Sequence, residues 1–176
     1  INILGNFNTI EEVIRNRLIV DEGDPLNNLL YNKSIDKIRS LGIFKKVNGK
    51  IEDGSNENTK IINITVEEKP TGEVSLAAGF GTSGGSIGGG IREKNFLGKG
   101  IDLTTNLEIS DESIKGKFIY SKPNFAYTDN TLFTSLIVTT SDFLNDFGYK
   151  VSKTGFSIGT EYEQYENLFF RPELSF

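Results

Sequence analysis

Cysteine and histidine are both absent from this chain of 176 residues. Without cysteine the chain has no disulfide framework and no thiol chemistry, and the cellular compartment stays open on that evidence. Without histidine it lacks the commonest general base and the commonest metal ligand in proteins. A cysteine-based enzyme and a histidine-built metal centre are therefore excluded.

Long apolar runs and basic blocks are also missing. No run approaches the length of about 18 apolar residues that a transmembrane helix requires, which excludes such a helix. A transmembrane β-barrel stays possible, because its strands alternate and leave only a weak hydropathy signal. The formal charge of −5, without a cluster of Lys or Arg, argues against nucleic acid as a partner and against anchoring on anionic lipid headgroups. The chain opens at Ile1 on a strand-like segment with no signal peptide, so we expect an internal fragment of a longer protein.

The first seventy residues predict an α+β domain with the element order β-α-α-β-β. Thr9 and Glu12 have the spacing of a capping box, which predicts a first helix that continues to Leu18. Gly42 is placed to end a second helix in the left-handed conformation. The elements are a strand over 1–7, helices over 10–18 and 28–41, and strands over 44–52 and 60–67.

A glycine-rich stretch between Thr71 and Gly100 follows this domain, and nine of the chain's 19 glycines lie between Gly79 and Gly100. Its first part alternates strictly, with Val74, Leu76, Ala78 and Phe80 on one face and Glu73, Ser75, Ala77 and Gly79 on the other. This pattern predicts a strand, followed by a turn over 82–85 and a return strand. Glycine weakens strands, so we expect this hairpin to be the softest pairing in its sheet.

After Pro70 only the strand period is found. We predict seven strands, over 73–82, 85–94, 100–110, 114–122, 131–141, 149–163 and 168–176. Their polar faces carry charges that suit a wide, wet barrel better than a sandwich core: Asp102, Glu108, Lys115, Lys117, Arg171 and Glu173. Periodicity alone favours half of a soluble sheet over a membrane barrel. The aromatic residues gather near the strand ends as in an interfacial girdle, which favours the barrel, although the absence of Trp counts against it.

No stretch predicts an enzyme site or a cofactor. The glycines over 84–90 lack the Gly-Lys-Ser/Thr ending of a phosphate loop, and the Asp-rich turn over 142–146 lacks calcium-loop spacing. Asp111-Glu112 and Glu67-Glu68 are sequence neighbours that project to opposite sides of a strand, so paired acid–base roles are not expected.

Several motifs resemble the Omp85 superfamily of outer-membrane proteins, which join POTRA domains to a β-barrel. The matching segments of the POTRA type are Ile1–Thr9, Tyr31–Phe44 and Val66–Gly72. Those that look like the first barrel strands are Gly79-Phe80-Gly81-Thr82 and Asn95-Phe96-Leu97-Gly98-Lys99-Gly100, while Lys122-Pro123-Asn124-Phe125 departs only in order from the family's Asn-Pro-aromatic turn. The resemblance runs along the whole chain. It implies a POTRA domain over 1–69 and about seven strands of a truncated barrel over 70–176, in a family whose barrels have about sixteen strands.

The resemblance also implies a function, which is to insert β-barrel proteins into the outer membrane without nucleotide, metal or other cofactor. The expected location is the outer membrane of a Gram-negative bacterium, with the POTRA domain in the periplasm. The expected partners are nascent β-barrel proteins, lipoproteins of an assembly complex that dock on the POTRA domain, and outer-membrane lipid. The edge that pairs with substrate strands is predicted to be the first barrel strand, at Val74, Ser75, Leu76, Ala77, Ala78, Gly79, Phe80 and Gly81.

Three alternatives stay open at this point. The glycines of the first strand could serve only sharp bends or close packing in the barrel wall. Within the superfamily, the chain could belong to a two-partner-secretion transporter of a single substrate. From another class, it could be a soluble peptide-binding module that acts by strand addition.

Overall fold

The computed structural model describes residues 1–56, 58–81, 84–144, 147–165 and 168–176, with the backbone alone at Tyr127. These residues form two compact units. Unit 1 comprises Ile1–Thr71 together with the tetrapeptide Leu97–Gly100, and unit 2 comprises Gly72–Phe96 and Ile101–Phe176.

Unit 1 has the predicted order β-α-α-β-β. Its sheet has the strand order β1-β3-β2, with β1 parallel and β2 antiparallel to the central β3. The elements are β1 (Asn2–Leu4), α1 (Glu11–Arg15), α2 (Asn28–Ser40), β2 (Phe44–Asp53) and β3 (Lys60–Glu68). The prediction of an α+β domain is confirmed.

The core of unit 1 lies between its helices and one face of its sheet. Helix α2 contributes Ile35 and Ile38, and β3 contributes alternate residues, as a strand with one buried face must. The buried apolar residues are Ile14, Ile35, Ile38, Ile43, Phe44, Val47, Ile62, Ile64 and Val66. Ser34 is fully buried on α2 and donates to the Leu30 carbonyl oxygen at 2.8 Å, so its hydroxyl is satisfied inside the core.

The capping box predicted at Thr9 is wrong. The N-cap of α1 is Ile10, which makes no side-chain cap hydrogen bond, and the helix ends at Arg15 rather than reaching Leu18. The Thr9 backbone N–H donates instead to the Glu68 carboxylate at 2.7 Å. A carboxylate from β3, distant in sequence, thus replaces the local glutamate that the motif requires.

Helix α2 follows its local signals. The Asn27 side chain accepts hydrogen bonds from the backbone N–H groups of Leu29 and Leu30 at 2.9 and 3.3 Å, which caps the first turn. Gly42 has φ +68°, so the prediction of a left-handed glycine after this helix is confirmed. Among the described residues, no helix has the length and hydropathy of a transmembrane helix.

Unit 2 is an antiparallel sheet of eight strands, in the order β10-β9-β8-β7-β6-β5-β4, with β11 paired to β9. From β4 to β10 each strand pairs with its neighbour in sequence, so this part of the sheet is a meander, and over the described residues it does not close on itself. The strands are β4 (Gly72–Gly81), β5 (Gly84–Phe96), β6 (Ile101–Ser110), β7 (Ser113–Lys122), β8 (Thr131–Phe143), β9 (Tyr149–Tyr165), β10 (Leu168–Phe170) and β11 (Glu173–Ser175). Thr82 and Ser83, where part of the first turn was predicted, lie outside the described residues.

The register places polar and apolar side chains on opposite faces of this sheet. Across β5, β6 and β7, the aligned row Gly90, Asn106 and Lys117 lies on one face, and the row Gly89, Leu107 and Gly116 lies on the other. Ion pairs join neighbouring strands on the polar face, with Arg92 to Asp102 at 2.5 Å and Lys115 to Glu108 at 3.1 Å. The apolar side chains opposite are largely exposed. A polar face with paired charges and an exposed apolar face are typical of a transmembrane barrel wall.

The predicted seventh strand over 168–176 is wrong as a single element. Arg171 and Pro172 separate β10 from β11, since proline cannot donate to the ladder. Arg171 lies over the Phe133 ring, with its guanidinium carbon 3.9 Å from the ring centroid. Gly159 leaves room for this arrangement, because a Cβ there would overlap both the Phe133 ring and the Pro172 carbonyl oxygen.

Candidate functional site

The first strand of unit 2 forms one edge of its sheet. In the part of the chain that the structure describes, β4 pairs with β5 alone, from Gly72 opposite Glu93 to Gly81 opposite Gly84. The pairing has no register shift. Alternate backbone N–H and C=O groups on the other side of β4 therefore lack a strand partner, and such an edge is a template for a further strand.

The side chains of β4 are exposed on both faces of the sheet. Val74, Leu76 and Phe80 are each at least 77% exposed on the apolar face. The opposite face carries only small side chains after Glu73, so the backbone there is not covered. An added strand would meet no bulky side chain on the polar face and an apolar row on the other.

Geometry does not require glycine at positions 79 and 81 of β4. Neither Gly79 nor Gly81 has a positive φ. A Cβ at Gly79 would meet only the Ser86 hydroxyl at 3.4 Å, which is ordinary van der Waals contact, and a Cβ at Gly81 would meet nothing within 4 Å. The alternative of bends or close packing therefore finds no support at these two positions. What glycine supplies here is a weaker strand.

Strand β5 differs from β4 in this respect. A Cβ at Gly90 would overlap the Asn106 carboxamide oxygen and approach the Ser75 hydroxyl oxygen to 2.9 Å. At Gly89 it would lie 3.3 Å from a Leu76 methyl group. Close packing thus accounts for part of the glycine content of β5, while it does not account for Gly79 and Gly81 of β4.

The interactions that hold β4 to β5 decline along the strand. Near its start, Glu73 pairs with Lys94 at 2.8 Å and the Ser75 hydroxyl donates to the Gly90 carbonyl oxygen at 3.4 Å. The segment Ala77–Gly81 has no polar side chain, so its only polar interactions with β5 are backbone hydrogen bonds, and the Phe80 ring lies beside Gly85. Fewer polar side-chain interactions therefore join β4 to β5 at the Gly81 end than near Glu73.

A depression of about 550 Å³ adjoins the polar face of this hairpin. Its rim is charged on the side of β6 and β7 and nearly bare on the side of β4. The lining residues that define this contrast are Ser75, Ala77, Gly79, Glu108, Lys115 and Lys117. The depression leaves the backbone of β4 accessible from the polar face as well as from the edge.

Strand β2, one of the two edge strands of the unit 1 sheet, is a less open edge than β4. Arg39 of α2 donates to the Val47 carbonyl oxygen of β2 at 3.2 Å. Lys45 pairs with Glu67 at 2.8 Å, and this hydrogen bond to a carboxylate raises the pKa of Lys45. Lysine and arginine along an edge strand oppose the addition of another strand. For a partner that docks on this domain, α2 therefore offers a more open surface than β2 does, and Leu29 is exposed on it.

Glu68 connects the end of β3 to the loop before α1, a role that the residue pattern does not predict. Its carboxylate accepts hydrogen bonds from the Asn8 backbone N–H at 3.0 Å, the Asn8 side chain at 2.9 Å and the Thr9 backbone N–H at 2.7 Å. Partial burial raises the pKa of Glu68, but the hydrogen bonds from Thr9 and Asn8 outweigh it, and the net pKa is lowered. No local motif could reveal a contact between residues so far apart in sequence.

Among the described residues, no group of three or more Asp or Glu side chains is placed to hold a metal ion. The candidate site is thus an edge of backbone groups rather than a constellation of reactive side chains.

Residues 1–69 match the family model described as POTRA, surface antigen variable number repeat. The outer membrane protein assembly factor BamA of Neorickettsia risticii is 34% identical over 112 residues, which cover 61% of this chain and 15% of that protein. The chain spans only 15–16% of the length of the curated relatives that it matches.

Solved structures show the same fold over nearly the whole chain. The crystal structure of BamA from Haemophilus ducreyi lacking POTRA domains 1–3 matches with a TM-score of 0.83 and 22% identity, covering 99% of this chain and 34% of that one. CdiB from Escherichia coli matches with a TM-score of 0.65 and 15% identity, covering 99% of this chain and 36% of that one. At these identities the likeness shows the fold alone.

Proposed function

We propose that this chain is a BamA-like segment of the Omp85 superfamily, located in the outer membrane with its POTRA domain in the periplasm, and that it serves the assembly of β-barrel proteins in that membrane. Within this function, β4 is the strand on which substrate strands are templated. The curated BamA relatives support the general role by their names. The particular role of β4 rests on its own geometry.

One observation carries the proposal, namely that Gly79 and Gly81 lie on an edge strand where neither space nor backbone conformation requires glycine. A strand buried in lipid must have its backbone groups paired, since each unpaired group in hydrocarbon is costly. A weak β4 can leave any partner on its open side and accept an incoming strand by forming new backbone hydrogen bonds. The strand can therefore accept many different substrates, because backbone pairing does not depend on the side chains of the incoming strand.

We propose two further features of this function. The domain boundary lies at Lys69-Pro70, next to the division of the structure after Thr71. Assembly-complex lipoproteins dock on unit 1 through α2, since the lysines and Arg39 oppose strand addition on β2. Leu29→Asp, at an exposed position of α2, should lower co-purification of such lipoproteins without unfolding the domain.

Site-specific photo-crosslinking in cells tests the role of β4. A photoreactive residue replaces Ser75, Ala77 or Gly79, one at a time, in the full-length protein while a slow-folding barrel substrate is expressed. Asn106 of β6 is the matched control, because it lies on the same polar face but on a strand paired on both sides. We expect crosslinks to several different barrel substrates from β4 and none from Asn106.

The same experiment separates the alternatives. Crosslinks from β4 to one secreted substrate only would favour a two-partner-secretion transporter, and crosslinks only to another strand of the same barrel would mean a closed wall. A protein that stays in solution without detergent would favour the soluble peptide-binding module. The likeness to CdiB shows the fold and does not by itself favour a transporter.

A further inference from the structure

Unit 1 carries an exposed apolar patch formed by Phe7, Ile10 and Leu97. These side chains are 93%, 40% and 69% exposed, respectively. The two backbone segments that bear them are in direct contact, because the Ile10 N–H donates to the Gly98 carbonyl oxygen at 2.9 Å. We call these three residues the Phe7 patch.

The loop that bears Phe7 is held in place. Gly5 has φ +89°, and a Cβ there would overlap the Val66 carbonyl oxygen, so only glycine fits this turn. On the other side of Phe7, the Glu68 carboxylate binds the backbone N–H groups of Asn8 and Thr9. An aromatic ring is therefore presented to the surroundings by a fixed loop, although burying it inward would have been more favourable in water.

Leu97 is also presented at an energetic disadvantage. Its φ is +57°, a left-handed conformation that a leucine side chain disfavours, and its side chain is not buried in return. The neighbouring Gly98 has φ +70°, and a Cβ there would overlap the Asn8 carbonyl oxygen. The contact between the two segments thus fixes Leu97 in a strained turn with its side chain outward.

The position of Leu97 in the chain identifies what covers the patch. Leu97–Gly100 joins β5 to β6, and both strands have the polar and apolar faces of membrane strands. A turn between two such strands lies where they leave the hydrocarbon, which is the interfacial layer of the bilayer. Aromatic and apolar side chains next to this level are favoured in the headgroup region, and the exposed Lys99 suits the phosphates there.

We propose that the Phe7 patch inserts into the interfacial layer of the periplasmic leaflet and so anchors the POTRA domain to phospholipid. The surface is an interaction site for lipid, separate from the strand edge of β4. This inference requires the membrane location of unit 2 but not the templating of substrate strands.

Depth-dependent fluorescence quenching tests this proposal. The full-length protein, free of other cysteines, carries bimane at Phe7→Cys or Leu29→Cys and is reconstituted without accessory proteins. The liposomes contain phosphatidylethanolamine and phosphatidylglycerol, with a nitroxide either at the headgroup, at acyl carbon 5 or at acyl carbon 12. Leu29 is the matched control, since it is 64% exposed on the same unit but lies on α2.

We expect headgroup and carbon-5 nitroxides to quench the probe at position 7 several-fold more than the probe at position 29, with little quenching from carbon 12. Equal quenching at both positions, or none at position 7, would overturn the proposal. If the bimane at position 7 escapes quenching while the unlabelled Phe7→Cys thiol resists a water-soluble maleimide in cells, a protein covers the patch instead and the proposal is overturned. Because the photo-crosslinks of β4 are measured separately, failure of either experiment leaves the other interpretable.

Discussion

Stiffening the end of β4 should slow assembly, and the structure allows the effect to be isolated. Gly79→Thr and Gly81→Thr add β-branched, polar side chains to the polar face, where a Cβ meets at most an ordinary contact with Ser86. Replacing a strand glycine with a good strand former contributes about 1 kcal/mol, so the pair should contribute about 2 kcal/mol to the β4–β5 pairing. At about 1.4 kcal/mol per tenfold, opening of this end should become about 30-fold rarer.

Two measurements on the full-length protein test this prediction, namely hydrogen exchange in nanodiscs and the rate of substrate assembly in cells. Hydrogen exchange of the β4 amides that pair with β5 should slow by up to the same factor, because exchange there reports local opening. The rate at which a slow-folding barrel substrate reaches its folded, heat-modifiable form should fall in parallel.

Gly116→Val is the control for this pair of substitutions, with an apolar β-branched side chain because Gly116 lies on the apolar face of the sheet. Gly116 lies on β7, which is paired on both sides, and a Cβ there would meet nothing within 4 Å. The control should stiffen the sheet by a similar amount per residue while substrate assembly stays unchanged. Slowed exchange with normal assembly would show that opening of β4 is not used, and unchanged exchange would show that its glycines do not weaken it.

Three further predictions concern stability. Glu68→Gln should lower the free energy of unfolding by about 1–2 kcal/mol, given the partial exposure of the carboxylate. Because the pKa of Glu68 is lowered in the folded state, this stabilisation is present above the ordinary pKa of 4.5 and is lost as pH falls through the folded pKa. Hydrogen exchange of the loop before α1, measured over a range of pH, should show this loss of protection at low pH in the native protein and not in the variant. Ile38→Ala, at a fully buried position, should cost about 2–5 kcal/mol of POTRA stability by urea unfolding, whereas the exposed Leu29→Ala should change it by less than about 0.5 kcal/mol. Gly159→Val should lower the temperature at which the folded barrel band is lost on a gel, because the new side chain would overlap the Phe133 ring. Gly155→Val should not lower that temperature, since a Cβ there would meet only the Phe176 carbonyl oxygen at 3.8 Å. Equal behaviour of the two variants would contradict this account.

Strand periodicity predicted most of unit 2, because each strand there pairs with its sequence neighbour and shows its two faces directly in the residue pattern. Val74, Leu76 and Phe80 lie on one exposed face as the alternation predicts. The prediction failed at Arg171, where a cation over an aromatic ring on a strand distant in sequence accompanies a break in the strand. Such a contact has no signature in the local pattern.

Unit 1 shows the same division between local and distant signals. Gly42 ends α2 as its neighbours in sequence dictate, and Ile62, Ile64 and Val66 are buried as their alternation predicts. The start of α1 was missed because Glu68 competes for the Thr9 backbone N–H. For the candidate site, the alternation of polar and apolar residues predicts β4, but only the structure shows that the space beside Gly81 is open.

The hydrogen bonds of Glu68 also bear on the order in which the POTRA domain folds. They join residues 59 and 60 positions apart, so the loop before α1 cannot reach its final form until the whole domain has crossed into the periplasm. Contacts of such long sequence separation form late and slow the search. During N-to-C-terminal translocation, the loop before α1 should therefore stay unfixed while α2 and the β2–β3 hairpin assemble. Periplasmic chaperones and proteases would meet this first segment as unfolded chain for longer than its position in the sequence suggests.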